Sequence, residues 1–316
     1  MVSLKTIFSV AAVLATAASA LPASIRLTSR QANYYKLAVR QNAMAKSMNL
    51  TDPVILNFAL TLEHLESSFY DQALNESGNK MDDNMRNALR TVRDSEATHV
   101  VFLTSSLAQT GAKPVESCKY NFNTSDVNNI IKTAAVLENV GVGAYLGAAP
   151  AISDKNVLSA AASIATVEAR HQTSIRSLLK QDLVPQPFDS SLSPRAAFTL
   201  AKPFIASCPD GSNLPIEPFP ALTMMPGQES AQMTVGSSVK LLAEQGAGSA
   251  KNCAFTTTPD QSPGGALFVS FSESEGCQVP QGVSGITYVF LTSSNPADSA
   301  VTDAITVAGP MAMVLS

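Results

Sequence analysis

Apolar residues are arranged in two different ways along this chain, and the change comes close to residue 185. Before it they run through four long stretches broken by capping residues, glycine and proline. Asp52-Pro53 reads as an N-cap with proline at the first helical position, opening a helix to about Leu74. Asn75 to Met81, with Gly78, is a short turn. A second helix is predicted from about Asp82 to Thr110, stopped by Gly111 with Pro114 beyond it. Ser125-Asp126 caps a third, ending at Pro150, and Ser153-Asp154 caps a fourth, ending near Asp182 before Pro185. The first and third connections are short and make antiparallel hairpins. The middle one, Gly111 to Thr124, has fourteen residues and spans at most roughly 46–50 Å. Helices of about 27 residues are roughly 40 Å long, so this loop just suffices to cross from one end of a bundle to the other.

Beyond residue 185 the texture changes. Residues 185–226 hold nine of the eighteen prolines, with a short helix expected from Ser193-Pro194 to about Lys202. Phe198, Leu200, Phe204 and Ile205 require burial, so this linker reads as ordered. From about 227 onward, short apolar runs are separated by Gly and Pro turns: Gln232–Val235, Val239–Leu242, Ala266–Phe271, Ile286–Leu291, Ala304–Val307 and Met311–Leu315. That spacing is the signature of a small β-sandwich. The opening segment differs again. Lys5, an apolar run from Ile7 to Leu14 and Ala18-Ser19-Ala20 match a secretory signal peptide cleaved after Ala20, and the run is too short for a membrane span. The expected division is a signal peptide at 1–20, an N-terminal extension at 21–44, a four-helix bundle at 45–184, a Pro-rich ordered linker at 185–226 and a β-sandwich at 227–316. This is an α+β, multi-domain chain.

The candidate chemistry sits in the four helices. Two of the three histidines each follow a glutamate by three positions, as Glu96-Ala-Thr-His99 and Glu168-Ala-Arg-His171. Residues three apart share a helix face, so each pair offers a carboxylate and an imidazole to one point. About thirty residues upstream of each pair stands a further glutamate, Glu63 and Glu138, whose oxygens can bridge two ions. The order Glu … Glu-x-x-His … Glu … Glu-x-x-His is the ligand set of a dinuclear carboxylate site in a four-helix bundle. Each candidate falls about 11 to 15 residues after its cap, so all four helices meet at one level. Carboxylate and imidazole ligation suits two ions of iron or manganese. Tyr70 follows Glu63 by seven residues and Tyr145 follows Glu138 by seven, which is two helical turns on the same face. The result is an internal repeat of about 75 residues with a pseudo-twofold axis through the site. The tyrosines are candidates to hydrogen-bond the ligand carboxylates or, equally, core aromatics. Glu66, one turn from Glu63, is an alternative ligand that the repeat disfavours, because Gly141 stands at the matching position. Gly141, Gly143 and Gly147 weaken the third helix, for which close packing or an access path to the metals would compensate. His64 points about 100° away from Glu63 and reads as a partly exposed polar residue.

These residues resemble the ferritin-like superfamily of di-iron carboxylate proteins. Leu56-Asn57-Phe58-Ala59-Leu60-Thr61-Leu62-Glu63 and Leu192-Ser193-Pro194-Arg195 are similar to a secreted fungal branch, the Rds1-like proteins. That branch is described in terms of stress response or late sexual development and is related to plant desiccation-related proteins. The resemblance covers about residues 45 to 210 and, more loosely, the tail. It implies a ferritin-like four-helix bundle with a metal site; the branch has no generally accepted reaction.

Export brings its own expectations. Four cysteines in an exported chain make two disulfides, and of the three pairings we favour Cys118 with Cys208 and Cys253 with Cys277. Glycosylation sequons stand at Asn49, Asn75 and Asn123. A formal charge of −4 and a pI near 5.4 argue against nucleic acid or anionic membrane as partner. No histidine follows His171, so the β domain cannot build a cupredoxin copper site, and reads as a structural module or a contact to cell wall or other extracellular material. Nothing in the sequence sets an oligomeric state. Two function classes follow: a di-metal oxidoreductase acting on dioxygen, peroxide or ferrous ion, and a non-catalytic stress or developmental protein whose metal site is structural or vacant.

Overall fold

The computed structural model describes residues 50–228, 233–257, 262 and 265–315, with 28, 29, 31 and 32. The signal peptide at 1–20, Asn49 and most of the 21–44 extension lie outside the described residues. Four long helices come first: α1 (Asp52–Ser77), α2 (Asp83–Thr110), α3 (Val127–Ala148) and α4 (Lys155–Leu178). Their starts follow from local chemistry. The carboxylates of Asp82, Asp126 and Asp154 accept backbone N–H groups of Met85, Asn128 and Asn156 that the helix itself leaves unpaired. Gly111, at φ 77°, closes α2 in the left-handed conformation that glycine adopts without strain.

The first cap differs from expectation. Thr51 is the N-cap of α1 and Asp52 is already helical. The Asp52 carboxylate instead accepts from Ser153 N and Asp154 N, each at 2.8 Å. One side chain therefore ties the start of α1 to the start of α4. At the other end, α1 runs to Ser77, three residues beyond the predicted stop, because Ser77 is buried and its hydroxyl donates to Thr124 O at 2.7 Å. Asn75 lies exposed on this last turn, and Asn123 is exposed in the crossover.

The connection between α2 and α3 crosses the length of the bundle and lies along α1. Asn57 holds Val115 N and Lys113 O near the start of α1. His64 Nε2 meets Val115 O at 3.2 Å, and near the far end Gln72 donates to Thr124 Oγ1 at 3.1 Å. This is the long crossover of a ferritin-like arrangement. Within it, β1 (Lys119–Tyr120) pairs antiparallel with β2 (Ile205–Ser207), and Cys118 is bonded to Cys208 beside that pair.

After the bundle, α5 (Pro194–Ala201) packs on α3, burying Ala196, Ala197, Phe198 and Ala201. Next come β3 (Leu222–Met224), β4 (Ser238–Val239), β5 (Leu241–Ala243), β6 (Asn252–Thr256), β7 (Ala266–Ser270), β8 (Cys277–Gln278), β9 (Ile286–Thr292) and β10 (Thr306–Val314). Four strands form one antiparallel sheet in the order β10-β9-β6-β7, while β3–β5 and β4–β8 are two-stranded. Cys253 on β6 is bonded to Cys277 on β8. Ala254, Tyr288 and Phe290 face the bundle and join its core; Cys253, Phe255, Val289 and Leu291 face away into a second cluster with the short ribbons. The sheet region thus has two apolar faces, which explains why every residue of β9 is buried.

Several strand expectations are corrected. No strand covers 234–235; Met233 forms an isolated bridge with Leu315, and Gln232 lies outside the described residues. The two runs expected at 304–307 and 311–315 merge into one strand, β10 (Thr306–Val314), with 304 and 305 in a turn before it. Its register shifts between Thr306 and Ala308 and again between Ala308 and Met311, across Gly309-Pro310, where proline has no N–H to give. The central strand β6 has no clear signature in the sequence, because its lysine, asparagine and cysteine surroundings mask a short apolar run.

The glycines of α3 have two explanations. Leu192 N donates to Gly143 O at 2.9 Å, and a Cβ at Gly147 would lie 1.7 Å from Leu192 O. The linker main chain lies directly on this helix, and only glycine lets it. Gly141 instead faces the carboxyl groups of Glu66 and Glu168. Gly147→Ala should lose about 1–3 kcal/mol in urea unfolding, through overpacking. Gly78→Ala, with open space around the new Cβ and an α-region φ, should be near neutral and serves as its control.

Candidate dinuclear metal centre

The mid-points of α1 to α4 converge on seven buried side chains. Glu63, Glu96, Glu138 and Glu168 are 0% exposed, Glu66 3%, and His99 and His171 each 7%. Each Glu-x-x-His pair lies on one face of its helix, and both pairs turn inward. Two groups of ligand atoms form, each with its atoms within 4.8 Å of one another: Glu63, Glu96, His99 and Glu168, and Glu96, Glu138, Glu168 and His171. Glu96 and Glu168 belong to both. The shared, central carboxylates are therefore those of the Glu-x-x-His pairs, while the upstream Glu63 and Glu138 stand at the two outer positions, not between the groups.

His99 Nδ1 lies 3.0 Å from Glu96 Oε2, 3.1 Å from Glu63 Oε2 and 3.1 Å from Glu168 Oε1. His171 Nδ1 lies 2.6 Å from Glu96 Oε1, 3.4 Å from Glu138 Oε2 and 3.7 Å from Glu168 Oε2. The approach of His171 to Glu96 is short in distance but not aligned for N–H donation. Accordingly His171 Nδ1, Glu96 Oε1, Glu138 Oε2 and both oxygens of Glu168 have no hydrogen-bond partner. Buried polar atoms without partners are costly, and here they all point at one another. Apart from the hydrogen bonds between His99 Nδ1 and the carboxyl groups of Glu63 and Glu96, these atoms face one another unpaired, an arrangement that cations would satisfy. The residues present fit a dinuclear centre.

The tyrosines complete the arrangement in a way the repeat did not foretell. Tyr145 Oη donates to Glu63 Oε1 at 2.6 Å, and Tyr70 Oη donates to Glu138 Oε1. Each reaches the glutamate of the other half. A residue seven positions on lies about 10 Å along its helix, out of reach of its own glutamate but level with the one on the antiparallel neighbour. Each tyrosine holds the outer oxygen of an outer glutamate, leaving Oε2 of Glu63 and Glu138 turned to the histidines. Glu66 belongs to neither group. Its carboxyl occupies the space in front of Gly141, where a Cβ would lie 3.0 Å from Glu66 Oε1. The signal for it was the unmatched pair Glu66 and Gly141, which breaks the repeat.

Burial, and then the charge of Glu168, push Glu63 well above the usual carboxylate range, with His99 opposing. Burial, then Glu168 and Glu96, do the same to Glu66. Burial drives Glu138 up to about 8, against the opposing influence of the nearby His171 imidazole. Glu96 is the exception: burial acts upward, but contacts from His171 and His99 hold it down at about 2. Burial would lower both histidines, yet the surrounding carboxylates push each up to about 12.

Residues 51–181 match the family model for the ferritin-like domain. The bundle is a ferritin-like domain. The chain is also similar to Protein rds1 of Schizosaccharomyces pombe, with 28% identity over 193 residues, covering 58% of this chain and 46% of that relative. It therefore spans a little under half the length of the curated relative it matches. Together the two findings support an Rds1-like ferritin-like protein, in agreement with the motif-based resemblance.

The titration pattern of this ferritin-like centre sets a pH dependence. Without metal, Glu138 binds its proton more tightly folded than unfolded, so its contribution is full below about pH 4.5 and is lost as pH rises through about 8. The histidines act the same way, losing theirs above about pH 6.5 toward 12. Glu96 opposes, losing its contribution as pH falls from about 4.5 to about 2. The melting temperature of chelator-treated protein should therefore fall steadily from pH 5 to pH 9. Added divalent metal should raise it most at the alkaline end, because the ligands must shed protons to bind.

Proposed function

We propose that the ferritin-like domain holds two metal ions, iron or manganese, and carries out redox chemistry on dioxygen, peroxide or ferrous ion as an exported stress or developmental protein. The observation that carries this reading is the set of buried, mutually facing carboxyl and imidazole atoms in two overlapping groups, five of them without a hydrogen-bond partner. Glu63 and His99 would hold one ion, Glu138 and His171 the other, with Glu96 and Glu168 between them. Such a pair, when bound, supplies one-electron steps at each ion and open positions for an oxygen ligand. The chain's own contribution is positional. Tyr145 and Tyr70 fix the outer glutamates, and Asp52 joins the start of α1 to the start of α4. The dry interior excludes water and strengthens each electrostatic contact. Glu66, whose carboxyl shares the space before Gly141 with that of Glu168, has no place in either group and would hold a proton beside the centre.

Export accords with the two disulfides, with the exposed sequon asparagines Asn75 and Asn123, and with the absence, among the described helices, of one long and apolar enough to cross a membrane. Elemental analysis of the purified full chain should find two equivalents of iron or manganese. Glu96→Ala and Glu168→Ala should each lose most of both, whereas Glu138→Ala should retain about one. Ferrous-oxidation and peroxide-consumption assays on loaded protein then separate the two function classes. A fully loaded chain with no turnover above free metal would leave only the non-catalytic reading.

A further inference from the structure

The bundle contains a cavity at the end where α1 and α4 begin and α2 and α3 finish. Its volume is about 470 Å³, inside the range of roughly 300–1,000 Å³ usual for small-molecule sites. The walls are mostly aliphatic, formed by residues such as Ile55, Leu62, Leu103, Ala144 and Val157. Phe102, 42% exposed on α2, also lines it. Ser106, Gln109 and Asn156 add a few polar groups. Among the described residues, no lysine, arginine or histidine lines it.

One polar group in this wall touches the centre. Tyr145 lines the cavity and is half-buried, and its hydroxyl donates to Glu63 Oε1 at 2.6 Å. Having given its proton inward, the hydroxyl oxygen keeps lone pairs with which to accept. The repeat sharpens the point. Tyr70, the counterpart, is 0% exposed and packs edge-on to Phe69 with ring centroids 5.1 Å apart. Phe122 of the crossover follows behind at 5.3 Å from Phe69. The space is filled by side chains in one half of the repeat and left open in the other.

We infer that this cavity binds a neutral, mainly apolar organic molecule bearing a hydroxyl, whose O–H donates to Tyr145 Oη. The aliphatic walls select the apolar body. No cation lines the walls and the acidic Asp154 is among the lining residues, so an anionic head would find nothing there to offset its charge. The inference concerns binding, and holds whether or not the neighbouring centre carries metal.

Fluorescence titration of the full chain, both as purified and chelator-treated, with 1-naphthol, 1-naphthoate and naphthalene tests it. 1-Naphthol should saturate at one equivalent, and 1-naphthoate should bind at least tenfold more weakly. Ala160→Trp and Ala59→Phe, which fill the cavity from α4 and α1, should each weaken 1-naphthol at least tenfold with unchanged far-ultraviolet dichroism; either one suffices if the other misfolds. Tyr145→Phe should weaken 1-naphthol several-fold and leave naphthalene unaffected. Absence of saturation, equal binding of 1-naphthoate, folded filling variants that bind like the parent, or a Tyr145→Phe variant that does not separate the two neutral probes would overturn the assignment. Because the chelator-treated arm needs no metal, failure here is distinct from failure of the redox reading.

Discussion

Five carboxyl groups and two imidazoles placed in a dry core are the constraint on which this structure turns. An ionised carboxylate moved from water to such an interior is strongly disfavoured unless protons, hydrogen bonds or cations neutralise it. Here hydrogen bonds reach only part of the set. Two tyrosine hydroxyls satisfy the outer oxygens of Glu63 and Glu138, while the central oxygens of Glu96 and Glu168 face each other and the imidazoles. No packing argument accounts for that arrangement. A helical bundle built for stability alone would have placed leucines at these positions.

The surrounding architecture serves to keep the cluster assembled. Asp52 joins two helix starts, the crossover is fastened along α1 from Asn57 to Gln72, and the bond from Cys118 to Cys208 ties it to the segment beyond the bundle. The sheet region participates too. Tyr288 on β9 donates to Asn139, the immediate neighbour of Glu138 on α3. Asn139 and Glu138 leave the same helix in different directions, one toward the sheet and the other toward the site. Ordered contacts on the outer side of α3 thus restrain Glu138 on its inner side, and the sheet is packed into the core of the bundle as a continuation of it.

This double covering explains the composition of α3. A helix with one face in a bundle normally shows water a polar face, but α3 is buried nearly all round, by the bundle, by the 190–192 linker and by the sheet. Its glycines are the local cost of that covering at Gly143 and Gly147, and of the Glu66 carboxyl at Gly141. The same asymmetry separates the two halves of the repeat. One tyrosine stands in a sealed aromatic cluster and the other beside an open cavity, though their spacing in the sequence is identical.

The helices, the caps of α2, α3 and α4 and the candidate ligands were legible in the sequence because they depend on spacings of a few residues. Glu-x-x-His sets a helix face, aspartate sets a helix start and glycine sets a stop, all through interactions within one or two turns. The long crossover was readable as a length, and the two disulfides only as one of three pairings. The sequence did not disclose which carboxylates stand between the two ligand groups, that Tyr70 and Tyr145 exchange glutamates, or that Asp52 caps a different helix from its own. Nor did it reveal the central strand β6 or the cavity beside Tyr145. Each of these is a contact between residues dozens of positions apart, where helix rotation and level decide the partner. Local pattern thus determined what each helix offers, and only the packing of the helices against one another decided what meets what.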